Sequence, residues 1–214
     1  MIDNYRHKGL RRKLVEMLAK KGIESVRVLS AMEVVPRHFF LDKTFESKAY
    51  VDKAFPIGNN QTISQPFTVA FQTQLLEVKK REKILEIGTG SGYQAAILGA
   101  LGARVFTVER QEPLYKKAKN LLRELGLGNI RCYFKDGTRG LAEFAPFDKI
   151  IVTAGAEEVP KALFEQLKIG GFLVIPVGDD VQKMLRIVKV AQDKWRTDEF
   201  GDFKFVPFLG GVVK

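Results

Sequence analysis

The chain has 214 residues, 45% hydrophobic and 28% charged, enough apolar surface to offset the entropy of ordering a backbone, which excludes a disordered protein. Lys and Arg number 35 against 25 Asp and Glu, a formal charge of +10 that suits nucleic acid, an acidic membrane, an acidic substrate, or nothing more specific than solubility. The lone cysteine, Cys132, excludes an internal disulfide; with no Cys/His spacing of the zinc type no metal is expected, and a reducing, cytoplasmic compartment fits.

A single domain over 1–214 is expected, in two parts that change texture near Lys79-Lys80-Arg81. The first residues carry Asp3, Arg6, Lys8, Arg11, Arg12 and Lys13, so no apolar signal core can be drawn there. The longest apolar run, Ala95 to Ala103, falls far short of the roughly 20 residues that cross a bilayer. Residues 1–80 read as helices and loops. Leu10, Leu14, Met17 and Leu18 share a helical face that stops at Lys20-Lys21-Gly22; a second helix covers Val26–Val34 and ends before Pro36. Asn59-Asn60-Gln61-Thr62 reads as loop, and Pro66 opens a helix with Phe67, Phe71, Leu75 and Val78 on one face.

Residues 81–214 alternate between strand and helix. Strand-like runs at Lys83–Ile87, Arg104–Val108, Ile130–Phe134, Asp148–Thr153 and Phe172–Val177 are separated by helical patterns at Ser91–Leu101, Pro113–Leu125 and Pro160–Leu167. Nearly continuous apolar strands alternating with helices predict an α/β, doubly wound, mostly parallel sheet. Met184–Val190 follows across a short polar turn as a late antiparallel strand.

Chemistry concentrates where the first of these strands enters its helix: Glu86-Ile87-Gly88-Thr89-Gly90-Ser91-Gly92-Tyr93. Parallel sheets build ligand sites at such a position, and glycines there let backbone approach a ligand closely. The spacing is GxGxG, since a third glycine of a GxGxxG dinucleotide turn would fall at Tyr93. No Gly-Lys-Ser/Thr makes it a phosphate loop, and Thr89 stands where a GxSxG nucleophile turn needs glycine. Glu109, with Arg110 beside it, ends the next strand where an acid would meet ribose hydroxyls, or is an ordinary strand-end acid. Asp136-Gly137 follows the third strand, although Asp-Gly is also a common turn pair. Ser64 lies in a polar loop before Pro66, able to face a bound anion or to cap the helix.

Acid-x-GxGxG with a second acid after the next strand resembles the S-adenosylmethionine-dependent methyltransferases, which implies a Rossmann-like fold. Segments outside that turn narrow the resemblance to the protein-L-isoaspartate (D-aspartate) O-methyltransferases: Val35-Pro36-Arg37-His38-Phe39, Pro56-Ile57-Gly58, Gln61 to Pro66, Asp136 to Leu141 and Val206-Pro207-Phe208. The family's usual Val-Pro-Leu-Thr is here Val206-Pro207-Phe208-Leu209. The resemblance implies methyl transfer from S-adenosyl-L-methionine, leaving S-adenosyl-L-homocysteine, to the free α-carboxylate of isoaspartyl and in part D-aspartyl residues in damaged proteins. It implies Ser64 as the active-site serine and Gln61, Thr62, Ile63, Ser64, Glu86, Gly88, Thr89, Gly90, Ser91, Gly92, Glu109, Arg110, Asp136 and Gly137 as the cofactor's surroundings. Residues 1–80 would shape the acceptor side and 81–214 the cofactor side of a monomer without nucleic-acid or membrane partners. Two further readings remain at this point: a methyltransferase of RNA or a small molecule, and a non-catalytic nucleic-acid-binding module, whose charge would here be scattered over Arg11-Arg12-Lys13, Lys79-Lys80-Arg81 and Lys116-Lys117-Lys119. His7 and His38 sit far from the glycine turn in sequence and read as structural.

Overall fold

The computed structural model describes residues 2–214. Its first two helices begin at side-chain caps. Asn4 accepts the His7 amide at the head of α1 (Tyr5–Lys20), and Ser25 accepts the Val28 amide at the head of α2 (Val26–Val34). Two 3₁₀ turns, Arg37–Phe40 and Lys43–Lys48, follow. The segment expected as loop is instead a small hairpin, β1 (Phe55–Gly58) and β2 (Gln61–Ile63). Asn59 and Asn60 make its turn at φ 52° and 55°, the left-handed pair whose twist suits a two-residue hairpin. Strands this short leave no alternation to read.

In α3 (Pro66–Leu76) the expected face also shifts. Val78 lies beyond the helix, while Val69, Ala70, Gln72, Thr73 and Leu76 are its most deeply buried residues. Phe67 and Phe71 are only half-buried, stacked at 5.6 Å, with Phe71 resting on Phe203 at 5.3 Å.

The remainder alternates as expected: β3 (Lys83–Ile87), α4 (Tyr93–Ala100), β4 (Arg104–Glu109), α5 (Glu112–Glu124), β5 (Ile130–Phe134), β6 (Phe147–Val152), α6 (Lys161–Glu165), β7 (Leu167–Val177) and β8 (Gln182–Ala191). The helix expected to reach Leu167 stops at Glu165, because Leu167 already pairs with Phe147 at the start of β7. A further strand, β9 (Lys194–Phe203), went unread. It is an exposed edge strand carrying Lys194, Arg196, Asp198 and Glu199, the charged composition that keeps sheet edges from aggregating.

The seven strands run β5-β4-β3-β6-β7-β8-β9, the first five parallel and β8 and β9 antiparallel. Strand order reverses beside β3, which places the ligand crevice outside the ends of β3, β4 and β6. On one sheet face Ile84, Val105, Ile151 and Val174 pack with Leu18, Met32, Leu76 and Ile97 of the helices. The other face, Leu85, Ile87, Ile150 and Leu173, is closed by Leu141, Leu163 and Phe208.

Beside this apolar packing, one buried cation links the N-terminal part to the head of α4. Arg37 is fully buried; its Nε donates to the Ala49 carbonyl at 2.9 Å and its Nη2 to that of Lys53 at 3.3 Å. The guanidinium lies 5.0 Å from the ring centroid of Tyr93, the first residue of α4. Burial pulls its pKa down to about 10, still charged at neutral pH. Arg37→Ala should therefore lose about 3 kcal/mol or more of stability, from two stranded carbonyls and an unfilled space, measured as a lower urea midpoint.

Candidate active site

Beyond Ile87 the chain turns through Gly88, Gly90 and Gly92, all left-handed at φ 97°, 51° and 87°. A side chain at Gly88 would meet the Thr153 hydroxyl at 2.5 Å, and that hydroxyl donates to the Gly88 carbonyl at 2.7 Å. The end of β6 therefore holds the turn. Glu109, at the end of β4, is buried and takes two backbone amides, Gly90 at 2.8 Å on one oxygen and Gln111 at 2.9 Å on the other. One carboxylate thus joins the turn after β3 to the turn after β4, at the mouth of the crevice.

The cleft above these turns is walled on one side by Gln61, Thr62, Ile63 and Ser64 and on another by Gly88, Thr89, Gly90 and Ser91. Glu109, Arg110, Gly137 and Thr153 complete the base, and Val206–Leu209 close it from above. This last segment is a strap. Gly155 and Val206–Phe208 exchange backbone bonds of 2.8 and 2.7 Å, and farther along Val213 pairs with Arg110 and Glu112 at 2.8 and 2.9 Å.

Three expected residues do not reach the wall. Gly92 sits at the head of α4 against Leu122 and Ala118. Asp136 spends its carboxylate on the Thr138 amide and hydroxyl and on the Gly211 amide, at 2.9, 2.7 and 2.8 Å; against the opposing pull of burial, these bonds hold its carboxyl below the usual range. Arg110 lines the cleft, but its guanidinium donates to the Gly210 and Gly211 carbonyls, both at 3.0 Å. Asp136 and Arg110 are thus the anchors of the strap.

Glu86 is the third. It is fully buried beneath the turn, with neither carboxyl oxygen hydrogen-bonded. Burial pushes its pKa up to about 8; the Thr107 hydroxyl, itself bonded to Thr89 at 2.6 Å, pulls the other way, and nearby Glu109 adds to the rise. At neutral pH the acid is mostly protonated.

Ser64 does not cap α3, whose N-cap is Gln65. The cap comes from Asp52, which sequence spacing gave no reason to single out. Its Oδ1 accepts the Phe67 amide at 2.8 Å, and its Oδ2 accepts Gln65 Nε2 at 3.0 Å and pairs with Lys21 at 2.7 Å. Burial raises the Asp52 pKa, but Lys21, Gln65 and the Phe67 amide outweigh it and keep the carboxylate charged. Ser64 itself lines the cleft. Tyr93, Gln94, Gln111 and Thr153 also line the cleft; none of them is a site candidate in the sequence, although Tyr93 closes the glycine-turn motif.

His7 and His38 are stacked at 3.9 Å behind the N-terminal helices and are absent from the cleft wall. With Asp3 they place ligand-type atoms within 4.8 Å of one another. Stacked rings hold their nitrogens in nearly parallel planes, however, a poor geometry for one shared ion, and Asp3 is already paired with Arg11 at 2.9 Å.

Among known proteins, the family model described as protein-L-isoaspartate(D-aspartate) O-methyltransferase matches residues 9–212. A protein-L-isoaspartate O-methyltransferase of Christiangramia forsetii is 56% identical over 209 residues, 98% of either chain. A solved protein-L-isoaspartate O-methyltransferase superposes with a TM-score of 0.86 at 30% identity, over 94% of this chain and 67% of that one. A Plasmodium falciparum protein described under the same activity, solved in complex with S-adenosyl-L-homocysteine, gives 0.82 at 25% identity, over 93% and 98%.

The buried acid gives a pH signature. An acid of ordinary pKa 4.5 that is raised to about 8 in the folded chain binds more protons folded than unfolded between those values, so its contribution to stability falls as pH rises through that window. Glu86→Gln should melt above the wild type at pH 8, with the gap closing toward pH 4.5. A gap independent of pH would refute a protonated Glu86.

Proposed function

Because the chain belongs to the protein-L-isoaspartate(D-aspartate) O-methyltransferase family, we propose that it moves a methyl group from S-adenosyl-L-methionine to the free α-carboxylate of isoaspartyl residues in damaged proteins, with Ser64 as the residue that aims the acceptor. The observation that carries this reading is the placement of Ser64, lining the cleft beside the glycine turn, with its capping alternative taken over by Asp52.

The cleft suits the cofactor. The glycine turn admits close backbone approach, and Glu109 and Gly137, which line the same cleft, are the residues we assign to the adenosine moiety. Gln61, Thr62, Ile63, Gly88, Thr89, Gly90, Ser91 and the backbone of Arg110 would surround it; Glu86 and Gly92 support the turn from below, and Asp136 supports the wall by holding the strap. When bound, the cofactor supplies an electrophilic methyl on a sulfonium, whose S–C bond breaks as a carboxylate oxygen bonds to the carbon.

The acceptor, of pKa about 3.5–4, is already ionised at pH 7, so no general base is required. This agrees with a cleft wall that has no histidine among the described residues. What the chain contributes is orientation and dryness. Ser64 donates a hydrogen bond that fixes one carboxylate oxygen and leaves the other in line, and the strap residue Phe208 and Ile63 exclude water. Fixed geometry of this kind is worth about 7–11 kcal/mol of barrier in favourable cases. In the methyl ester the α-carbonyl carries methoxide, a better leaving group than a carboxylate oxygen; the nitrogen of the following peptide bond attacks that carbonyl, methanol departs, and the succinimide so formed takes up water and opens in part to normal aspartate.

The division of labour is less clean than one half for each substrate. Residues 61–64 wall the cofactor cleft, and the strap from the other end of the chain closes it. The protein acts as a single unit, and we read it as a cytoplasmic monomer; no helix among the described residues is long and apolar enough to cross a membrane. The RNA or small-molecule reading loses ground to the family match over nearly the whole chain.

Paired peptides that differ only in an isoaspartyl or aspartyl linkage should be distinguished, with labelled methyl entering the first alone as a base-labile ester. Equal labelling, or alkali-stable methyl groups, would sink the assignment. Ser64→Ala should lower kcat about 10²-fold, measured on the isoaspartyl peptide, while cofactor affinity measured by calorimetry falls much less.

A further inference from the structure

A second groove of about 320 Å³ opens on the far side of Ser64. It meets the cofactor cleft at Thr62, Ser64, Thr153 and Val206, which line both. A chain whose carboxylate reaches Ser64 has this groove beside it for its neighbouring residues. Its floor is aromatic, formed by Phe67, Phe203 and Phe205. Two charges line it. Asp202 shares Lys183 with Glu199, at 2.7 and 3.2 Å, and is only partly offset, whereas Lys204, exposed at the rim, has no carboxylate within 4.0 Å among the described residues. Lys53, exposed next to the lining residue Ala54, is likewise without an ion-pair partner among the described residues. The nearest buried acid, Asp52, is already paired with Lys21. Two unpaired lysines, Lys204 in the groove and Lys53 beside it, thus stand over an apolar floor.

Lys204 lines the groove but not the cofactor cleft, so it is placed to meet a residue beside the damaged one rather than the reacting carboxylate. We propose that Lys204 is a specificity-determining residue that reads the charge flanking the isoaspartyl residue and favours acceptors with an acidic neighbour. The proposal rests on the isoaspartyl carboxylate as acceptor, and it adds a preference among acceptors that this assignment leaves open. The +10 charge of the whole chain favours acidic proteins in general; Lys204 localises that attraction to one position.

The test uses isoaspartyl peptides identical except for Glu or Lys at the position before or after the damaged residue, followed by methyl-ester formation. The wild type should favour the Glu peptide at one of these positions about two- to fivefold in kcat/KM, mainly through KM, as expected of one exposed ion pair. The preference should collapse at about 0.5 M salt, where screening reaches only a few ångströms. Lys204→Glu should invert the ratio and Lys204→Gln should bring it near one; thermal melting checks that both fold. A wild-type ratio of one at low salt, or an unchanged ratio in both variants, overturns the proposal. Should neither variant fold, the salt response of the wild type decides it. Failure to methylate any isoaspartyl peptide would instead overturn the acceptor assignment itself, so the two failures are distinguishable.

Discussion

A guanidinium buried without a carboxylate partner is expensive to keep, and Arg37 is the point on which the acceptor side of this molecule turns. Its bonds to the Ala49 and Lys53 carbonyls fix the segment that carries Asp52. Asp52 fixes the start of α3 and the Gln65 side chain, and those fix where Ser64 lies. At its other side the same guanidinium rests on Tyr93, one residue beyond the glycine turn. One charge thus references the serine and the cofactor turn to each other. Each hydrogen-bond partner of Arg37 is a neutral carbonyl, and the Asp52 carboxylate acts on it only through space.

The cleft itself is assembled from pieces far apart in sequence, and its two acids divide the work. Glu109 is committed to two backbone amides and ties β3 and β4 at their ends. Glu86, one strand away and sealed from water, holds its proton and so does not place a second negative charge beneath the turn. The strap imposes a third constraint: Arg110 and Asp136 stand on opposite sides of its Gly210-Gly211 bend and grip it from both.

What could be read in the sequence was what local pattern encodes. β3, β4, β6 and the second half of β7 are apolar because they are buried, and the glycine turn is visible because left-handed backbone excludes most other residues. Gln61–Ser64 and Glu109 were identifiable by motif, and the fold brings them together. The hairpin at Asn59-Asn60 was missed because its strands have four and three residues, and β9 because an edge strand in water needs no apolar face. Asp52 was invisible for a different reason: its role depends on Arg37, Lys21 and Phe67 arriving from separate elements. The same distance in sequence explains why the hold of Arg110 and Asp136 on the strap could not be read beside their motifs.

The clasp on Asp136 bears on the durability of the protein that contains it. The chain has a single Asp-Gly pair, Asp136-Gly137, and no Asn-Gly. Glycine leaves its nitrogen unshielded, so such a pair is where a carboxyl most readily closes onto the following amide and begins the lesion this family reverses. Closure requires the Asp136 side chain to swing onto the Gly137 nitrogen. Instead both its oxygens are occupied, one by Thr138 and the other by Gly211, and Gly137 is packed against Ile87. The repair protein holds its own most vulnerable linkage in a conformation that resists ageing.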